Sequence, residues 1–312
     1  MHSPELDPGK PQNPGSQDPG ISNPQVMVAD LNATPLSRYV TNAVEVNKID
    51  IPKYGNNEIL IKTRSATLCH SDLMLFWGHT GEEPLTDRTT IGHENTGYVV
   101  GIGKDVKGFK IGDLVGCLGC SYACSYHAVK GCELVEGQWI AIIGCGGLGH
   151  LAVQYAKAMK LKVVGIDISK SQLDDAKSLG ADLVINTMEE PDYEAKIKKV
   201  TNGGCHAAAV FSASNVAYES APKTLRINGL MMVAGIPKKP LTISALDILL
   251  GKYRVAGRSS GIPKNMPEAI EFSYKHGIKA HITSFKDLND INKVIDLLKS
   301  GKAAGRFGIL FD

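Results

Sequence analysis

A glycine-rich run between two apolar segments constrains this sequence more than any other feature. The run Gly144–Gly149 reads GCGGLG and follows the apolar segment Trp139–Ile143, which is typical of a buried strand. A helical pattern near Gly147–Met159 comes next, and a second apolar segment follows at Lys162–Ile166. This order predicts a turn that binds the pyrophosphate of a dinucleotide, because the helix N-terminus presents free N–H groups. The residues assigned to it are Gly144, Gly146, Gly147, Leu148 and Gly149.

The residue that ends the second apolar segment bears on the choice of cofactor. Asp167 lies eighteen residues after Gly149, where a carboxylate can accept hydrogen bonds from the adenosine ribose. Its negative charge would repel a 2′-phosphate, so we expect NAD rather than NADP. The alternative is an ordinary strand-to-helix turn with a surface aspartate. Lys170 is a candidate for holding the ribose or phosphates, or else a solvated lysine at a helix start.

The order of apolar segments predicts an α/β protein with two parts. From Val26 to about Ile111 short extended runs separated by turns, such as Glu58–Ser65 and Gly97–Ile102, indicate a mainly β region. Beyond Trp139 strands and helices alternate, which indicates a doubly wound parallel sheet. The further strands predicted are Leu183–Ile185, Ala207–Phe211 and Gly229–Val233, followed by helices Met266–Lys275 and Leu288–Ser300 and a strand Gly308–Leu310.

Length and composition suggest how these parts are arranged. At 312 residues, two domains are expected rather than one hydrophobic core. Residues 1–25 carry many prolines and few large apolar side chains, so we expect a disordered tail. The predicted divisions are a catalytic domain at 26–121, a nucleotide-binding domain at 122–261 and a C-terminal return to the first domain at 262–312.

Charge and cysteine content exclude several classes of function. The chain has 34 basic and 32 acidic side chains, which favours neither nucleic acid nor an anionic membrane as partner. No apolar stretch is long enough to cross a bilayer, and the N-terminal residues do not resemble an export or mitochondrial signal, so we expect a cytoplasmic protein. The seven cysteines then indicate metal ligands or plain thiols rather than disulfides.

Two short segments of the β region carry residues that suit a metal ion. They are Cys69-His70-Ser71-Asp72 and Gly92-His93-Glu94. Thiolate and imidazole are good zinc ligands, and a catalytic zinc takes three protein ligands while one position stays open. Asp72 and Glu94 could then orient these ligands by hydrogen bonds without binding the metal themselves. The alternative for each segment is a buried cysteine or a hydrogen-bonded histidine in a core.

A family resemblance joins these features. The chain from about residue 26 to its end resembles the zinc-dependent medium-chain alcohol dehydrogenases, in particular fungal and yeast-type members. The resemblance is carried in order by TLCHSDL, IGHENTGYVVGIG, IGDLVG, GQWIAIIGCGGLGHLAVQYAKAM, VVGID and GKAAGR. It implies a GroES-like catalytic domain split around a Rossmann domain, with the active site in the cleft between them.

The same resemblance implies roles for individual residues. Cys69 and His93 match the first two catalytic zinc ligands, and Ser71 matches the hydroxyl that passes on the substrate proton. His70 and Arg306 match residues that contact the cofactor pyrophosphate. Met74 stands where some members have a histidine that ends the proton relay, so a relay would run from Ser71 to the cofactor ribose or to water.

The sequence departs from the family pattern after Gly112-Asp113. Only Leu114–Gly119 separate that turn from Cys120, whereas the family has a whole lobe there that carries four cysteines for a structural zinc. The resemblance implies Cys120 as the third catalytic ligand, because the run CSYACSY keeps the family's six-residue step from that cysteine to an aromatic residue, although Ser121-Tyr122 replace the family's Ala-Gly. Cys124 and Cys117 are rival ligands. A structural zinc site made of Cys117, Cys120, Cys124 and Cys132, or a thiol without a metal, is the alternative.

These observations predict a zinc-dependent enzyme that transfers hydride between a small alcohol and NAD, and the resemblance implies a homo-oligomer. A family member that has lost catalysis and only binds dinucleotide is the first alternative. A zinc-independent quinone or enoyl reductase is the second, although it would have no need of Cys69 and His93.

Overall fold

The N-terminal part of the chain is built from strands. The computed structural model describes residues 26–29, 44–47, 50–74, 91–116, 120–237, 239–260, 265–301 and 305–311. The predicted tail therefore lies outside the described residues. In chain order the elements here are β1 (Val26–Ala29), β2 (Val44–Asn47), β3 (Ile59–Leu68), a 3-10 helix (His70–Leu73), β4 (Glu94–Ile102) and β5 (Leu114–Gly116).

The middle of the chain alternates helix and strand. Its strands are β6 (Trp139–Ile143), β7 (Lys162–Asp167), β8 (Leu183–Asn186), β9 (Cys205–Val210), β10 (Leu225–Val233) and β11 (Tyr253–Gly257). Its α-helices are α1 (Cys120–Lys130), α2 (Gly149–Ala158), α3 (Lys170–Ser178), α4 (Tyr193–Thr201), α5 (Asn215–Ser220) and α6 (Ala245–Leu249). A further 3-10 helix spans Ala221–Thr224.

The six middle strands form one parallel sheet in the order β11-β10-β9-β6-β7-β8. Counted from β6, this is the 3-2-1-4-5-6 order of a Rossmann fold, whose order reverses between β6 and β9. Side chains alternate between two cores: Ile140 and Ile142 pack on one face, and Ala141 and Ile143 pack on the other. Burial on both faces explains why these strands are continuous apolar runs in the sequence.

The C-terminal segment returns to the first sheet. It contains α7 (Met266–His276), β12 (Ile282–Phe285), a 3-10 helix (Leu288–Asp290), α8 (Ile291–Ser300) and β13 (Arg306–Leu310). β13 pairs antiparallel with β3, with Phe307 opposite Leu68, and the sheet order is β12-β13-β3-β4-β5. Ile291 and Ile295 of α8 pack against the same core as Leu68 and Phe307. The first and last parts of the chain therefore share one core.

The predicted strands are present, and most extend one to four residues further at one end, although β3 begins and β9 ends one residue inside the predicted limits. Three details of the helices differ. The helix expected from Gly147 begins at Gly149, because Gly144–Leu148 form the turn itself. The helix expected over Leu288–Ser300 is a 3-10 turn followed by α8. Helix α1 had no clear helical pattern, because it is buried on more than one side. The predicted boundary between 121 and 122 falls inside α1, so the place of the division stays a prediction.

Within the described residues, no helix combines the length and apolar character that a membrane crossing requires.

Candidate active site

Cys69 and His93 meet because one carboxylate holds both of their segments. Asp72 is 5% exposed, and its Oδ2 accepts the Cys69 N–H at 2.7 Å. Its Oδ1 accepts the Gly92 N–H at 2.9 Å and the His93 Nδ1–H at 3.0 Å. Because Nδ1 donates to Asp72, Nε2 of His93 is the ring nitrogen left for a metal. Asp72 thus holds the Cys69 and His93 segments together, and its role in orienting metal ligands stays a prediction.

Glu94 lies at the centre of a second set of buried polar contacts. Its Oε2 accepts hydrogen bonds from Thr67 Oγ1 at 2.6 Å and from Ser121 Oγ at 2.7 Å. Arg306 also donates to Oε2, and the side chains of this ion pair are 6% and 7% exposed. The other oxygen, Oε1, is buried and has no hydrogen-bond partner among the described residues. A buried carboxylate oxygen with no partner is costly, so it suits a bound cation.

These groups have the chemistry and spacing of a zinc site. Ligand atoms of Cys69, His93 and Glu94 all lie within 4.8 Å of one another, and they are the single such group of His, Cys, Asp and Glu within the described part of the chain. The hydrogen bond to Asp72, and then that to Cys69, raises the pKa of His93 to about 10. The Asp72 carboxylate on Nδ1 also makes Nε2 more basic, which favours metal binding once Nε2 has lost its proton.

The predicted third ligand, Cys120, is located through the contact of the next residue, Ser121. Cys120 is the first residue of α1, and its side chain lies outside the described atoms. Ser121, the next residue, donates to Glu94, so the start of α1 lies at the cluster. Cys117 lies outside the described residues. Cys124 is buried further along α1.

Cys132 does not fit the alternative of a structural zinc. Its thiol donates to the Ala128 carbonyl at 3.2 Å in the core below β6, and burial raises its pKa to about 12. A thiol held protonated in an apolar core is a packing residue rather than a ligand.

The predicted dinucleotide turn depends on close backbone packing. A Cβ on Gly149 would lie 1.9 Å from the Gly144 carbonyl oxygen, and Gly144 has φ of +89°. A Cβ on Gly147 would lie 2.8 Å from a guanidinium nitrogen of Arg306. The turn joins the C-terminal end of β6 to the start of α2, next to the point where the strand order reverses. Bound ligands lie at this place in Rossmann folds.

Asp167 lies at the end of β7 and holds the turn from the side. Its Oδ2 accepts the Cys145 N–H at 2.7 Å, and its Oδ1 accepts the N–H groups of Ile168 and Ser169. Acceptor capacity remains on Oδ2 for a ribose hydroxyl. Lys170 pairs instead with Asp174 one turn along α3 and is 78% exposed, which favours the solvated alternative.

Arg306 joins the two halves of the site. It begins β13, packs over Gly147 of the turn and forms the buried ion pair with Glu94. The side chain also hydrogen-bonds to Cys69. The resemblance placed Arg306 at the cofactor pyrophosphate, and the contact with Gly147 is compatible with that position.

The 3-10 helix after Cys69 carries the other predicted residues. His70 is exposed and Ser71 is half-buried, so both lie beside the buried Asp72 at the edge of the cluster. Met74 follows directly after this helix, half-buried.

Three polar contacts were not predicted from the sequence. They are the Thr67 and Ser121 hydroxyls on Glu94 and the Ser125 hydroxyl, which donates to the Leu148 carbonyl at 2.9 Å. Ser121 and Glu94 are 27 residues apart, and no local pattern marks such a pair. The one available signal was the row of small polar residues in CSYACSY.

Two family models match the chain. The model described as "Alcohol dehydrogenase GroES-like domain" matches residues 55–164, and the one described as "Zinc-binding dehydrogenase" matches residues 147–275. Among curated relatives, an alcohol dehydrogenase of Geobacillus stearothermophilus is 31% identical over 85% of this chain and 94% of the relative. Alcohol dehydrogenase 2 of Caenorhabditis elegans is 29% identical over 86% of this chain and 93% of the relative.

Solved structures share the fold. The alcohol dehydrogenase of Aeropyrum pernix superposes with a TM-score of 0.77 at 22% identity, over 86% of this chain and 96% of that one. A cinnamyl alcohol dehydrogenase of Sorghum bicolor superposes with a TM-score of 0.76 at 22% identity, over 91% of this chain and 96% of that one. Both therefore have the same two-sheet architecture.

Proposed function

This chain belongs to the zinc-binding alcohol dehydrogenase family, and on that premise we propose that it transfers hydride between a primary or secondary alcohol and NAD. The reverse reaction would reduce an aldehyde or ketone. The observation that carries the proposal is Arg306, which touches both Gly147 of the dinucleotide turn and Glu94 of the Cys69–His93 cluster. The predicted cofactor and metal sites are thus neighbours, as hydride transfer requires.

The donor set of the cluster supports zinc. Cys69 and His93 would hold the ion, with Cys120 as the third ligand, and Cys124 or Cys117 as its rivals. Oε1 of Glu94, which has no hydrogen-bond partner in the described part of the chain, would be a nearby oxygen ligand. When bound, zinc supplies a Lewis acid that favours the ionised form of the substrate hydroxyl. Asp72 would keep Nε2 of His93 directed at the ion through the bond to Nδ1.

The turn and Asp167 support NAD. The N–H groups at the start of α2 and the guanidinium of Arg306 would hold the pyrophosphate, and His70 would contact it from the catalytic side. Asp167 would accept hydrogen bonds from the adenosine ribose and repel a 2′-phosphate. NAD, when bound, supplies the group that accepts hydride.

Ser71 would handle the proton. Its hydroxyl lies two residues after Cys69, so its Oγ can accept the proton of the substrate hydroxyl and pass its own proton outward. Met74 has no group that continues such a relay, so the proton would next reach the cofactor ribose or water. A small-molecule substrate, a homo-oligomer and a cytoplasmic location remain predictions.

A second candidate is a family member that binds dinucleotide but has lost catalysis. It is favoured by the short connection of three residues between β5 and α1, where the resemblance implies a lobe. The alignment with the Geobacillus stearothermophilus relative also supports it. The alignment has 326 positions but includes only 85% of the 312 residues of this chain, or about 265, so about 60 of its positions are gaps in this chain.

Metal analysis combined with kinetics tests the proposal. The purified protein should hold one zinc per chain and form NADH when an alcohol is added. Cys69→Ala and His93→Ala should lose the zinc and the turnover but bind NAD with little change, because the turn lies on a separate sheet. Cys132→Ala is the matched control and should keep its zinc. Turnover that survives in both ligand variants would contradict the proposal, whereas NAD binding without turnover in the unmodified protein would favour the second candidate.

A further inference from the structure

A buried histidine on α2 lies between the dinucleotide turn and the C-terminal segment. His150 follows Gly149 directly and is completely buried. Its Nδ1 lies 3.2 Å from the Gly146 carbonyl oxygen, and its Nε2 lies 3.1 Å from the backbone nitrogen of His281. A carbonyl only accepts and an amide only donates, so Nδ1 carries the proton and Nε2 does not. The ring is therefore neutral, with one tautomer.

The contact continues from His281 to Arg306. The His281 carbonyl accepts the Arg306 N–H at 2.7 Å, which is the first hydrogen bond of the β12–β13 pair. Gly305 packs so tightly here that a Cβ would lie 2.3 Å from the same carbonyl oxygen. The His281 side chain is held in turn by Asp175 of α3, with 2.8 Å between Nδ1 and Oδ1. The backbone at His281 thus determines where β13, and with it Arg306, begins.

We propose that His150 is a positioning residue for the cofactor: it holds Arg306 at a set distance from the second glycine of the turn. The inference rests on the proposed dinucleotide site. The hydrogen bonds run from the Gly146 carbonyl through the His150 ring to the His281 amide, and from the His281 carbonyl to Arg306. No other described side chain contacts both Gly146 and His281 by hydrogen bonds. Burial supports the neutral ring that this bridge needs, because it lowers the pKa of His150 to about 4.

One helical turn further along α2, the chain offers a matched control. Gln154 holds the residue two positions before His281: its Oε1 accepts the Lys279 N–H at 3.0 Å, and its Nε2 donates to the Lys279 carbonyl at 2.9 Å. Gln154 therefore anchors the same segment to the same helix, but it makes no contact with the turn. If binding is weakened merely because the segment is held less firmly, Gln154→Ala should weaken it as well. If binding depends on the His150 bridge, Gln154→Ala should leave it nearly unchanged.

Calorimetric titration with ADP-ribose, which carries the pyrophosphate but no nicotinamide, tests the bridge without turnover. We expect His150→Ala to weaken binding about tenfold, since two hydrogen bonds are lost, and Gln154→Ala to change it less than about twofold. His150→Gln fills more of the site than alanine and keeps an acceptor that can reach the His281 N–H. It should therefore bind ADP-ribose more tightly than His150→Ala does. In an Arg306→Leu background, His150→Ala should have little further effect, because it acts through Arg306.

The outcomes separate this inference from the proposed function. Unchanged ADP-ribose affinity in His150→Ala, an equal loss in Gln154→Ala, or full additivity with Arg306→Leu would each overturn the positioning role and leave the dehydrogenase proposal standing. If the unmodified protein binds ADP-ribose and the variants change that affinity as expected, but no alcohol is oxidised, the proposed function fails and the bridge stands. If it does not bind ADP-ribose, both fail.

Discussion

The dinucleotide turn and the metal cluster lie side by side but are built from different parts of the chain. The turn consists of six consecutive residues, Gly144–Gly149, and its shape depends on close backbone packing at its two ends: a Cβ would lie 2.9 Å from the Ser212 backbone nitrogen at Gly144 and 1.9 Å from the Gly144 carbonyl oxygen at Gly149. The cluster consists of side chains from separate segments that meet only in the folded protein: Thr67, Cys69 and Asp72, then His93 and Glu94, then Ser121, and finally Arg306.

The difference shows where each site is vulnerable. The turn is damaged by adding atoms at Gly144 or Gly149, since a Cβ there would overlap backbone atoms. A site made of paired side chains is damaged by removing atoms, since each removal leaves a buried partner unsatisfied. Variants that add atoms to the turn or remove atoms from the cluster test this contrast.

Adding one methyl group to the turn should have the largest effect. In Gly149→Ala the new Cβ would lie 1.9 Å from the Gly144 carbonyl oxygen, and backbone atoms on both sides must move. We expect the free energy of unfolding to fall by about 4 kcal/mol or more. The matched control is Gly257→Ala in β11, where the nearest atom is 3.8 Å away and a change within about 1 kcal/mol is expected. Urea unfolding measures both, and equal stabilities would contradict the close packing.

Removing one partner from the cluster should come next. Glu94→Leu leaves the guanidinium of Arg306 buried without its carboxylate, which should cost about 3 kcal/mol. The double variant with Arg306→Leu should recover part of that loss, because no buried charge then remains. The control is Glu136→Leu, which breaks the surface ion pair between Glu136 and Lys160. Both side chains of that pair are 69% exposed, so the free energy of unfolding should change by less than about 1 kcal/mol. A similar cost for Glu94 and Glu136 would show that the buried pair has no special role.

Acid should weaken the His150 bridge between the dinucleotide turn and the C-terminal segment. Burial lowers the pKa of His150 to about 4 in the folded protein from the 6.5 of an exposed histidine, so the unfolded chain binds more protons between these values. The stabilising contribution is fully present above pH 6.5 and is lost as the pH falls toward 4, by about 2 to 3 kcal/mol. The charged or titratable groups that face the ring are Asp175, His281 and Arg306.

The replacement His150→Gln isolates this effect, since glutamine does not titrate. Unfolding free energies measured at several pH values should fall more steeply with acid in the unmodified protein than in the variant. Parallel curves would mean that His150 is not held neutral by the fold.

The smallest expected effect concerns cofactor choice. Asp167→Ser removes the carboxylate that would repel a 2′-phosphate, and the preference for NAD over NADP should narrow about tenfold, or about 1.4 kcal/mol. Lys170→Ala should leave the preference nearly unchanged, because Lys170 pairs with Asp174. Fluorescence titration of both cofactors measures the ratio, and a large shift in the Lys170 variant would assign that lysine to the phosphate instead.

Much of the architecture could be predicted from local patterns. The strands of the parallel sheet are apolar runs because both of their faces are buried, and the dinucleotide turn is recognisable because all of its residues are consecutive. The two pairs Cys69-His70 and His93-Glu94 also stood out, although their meeting rested on the family resemblance. Helix α1 was missed because burial on more than one side removes the amphipathic pattern.

Only the tertiary structure decided how the site is joined. Glu94 and Arg306 are 212 residues apart, and His150 and His281 are 131 apart. Hydrogen bonds over such distances leave no trace in local sequence patterns, because their partners are brought together by the pairing of β13 with β3 and of β12 with β13. Consecutive residues determined the turn, whereas the return of the chain to its first sheet determined which side chains meet beside it.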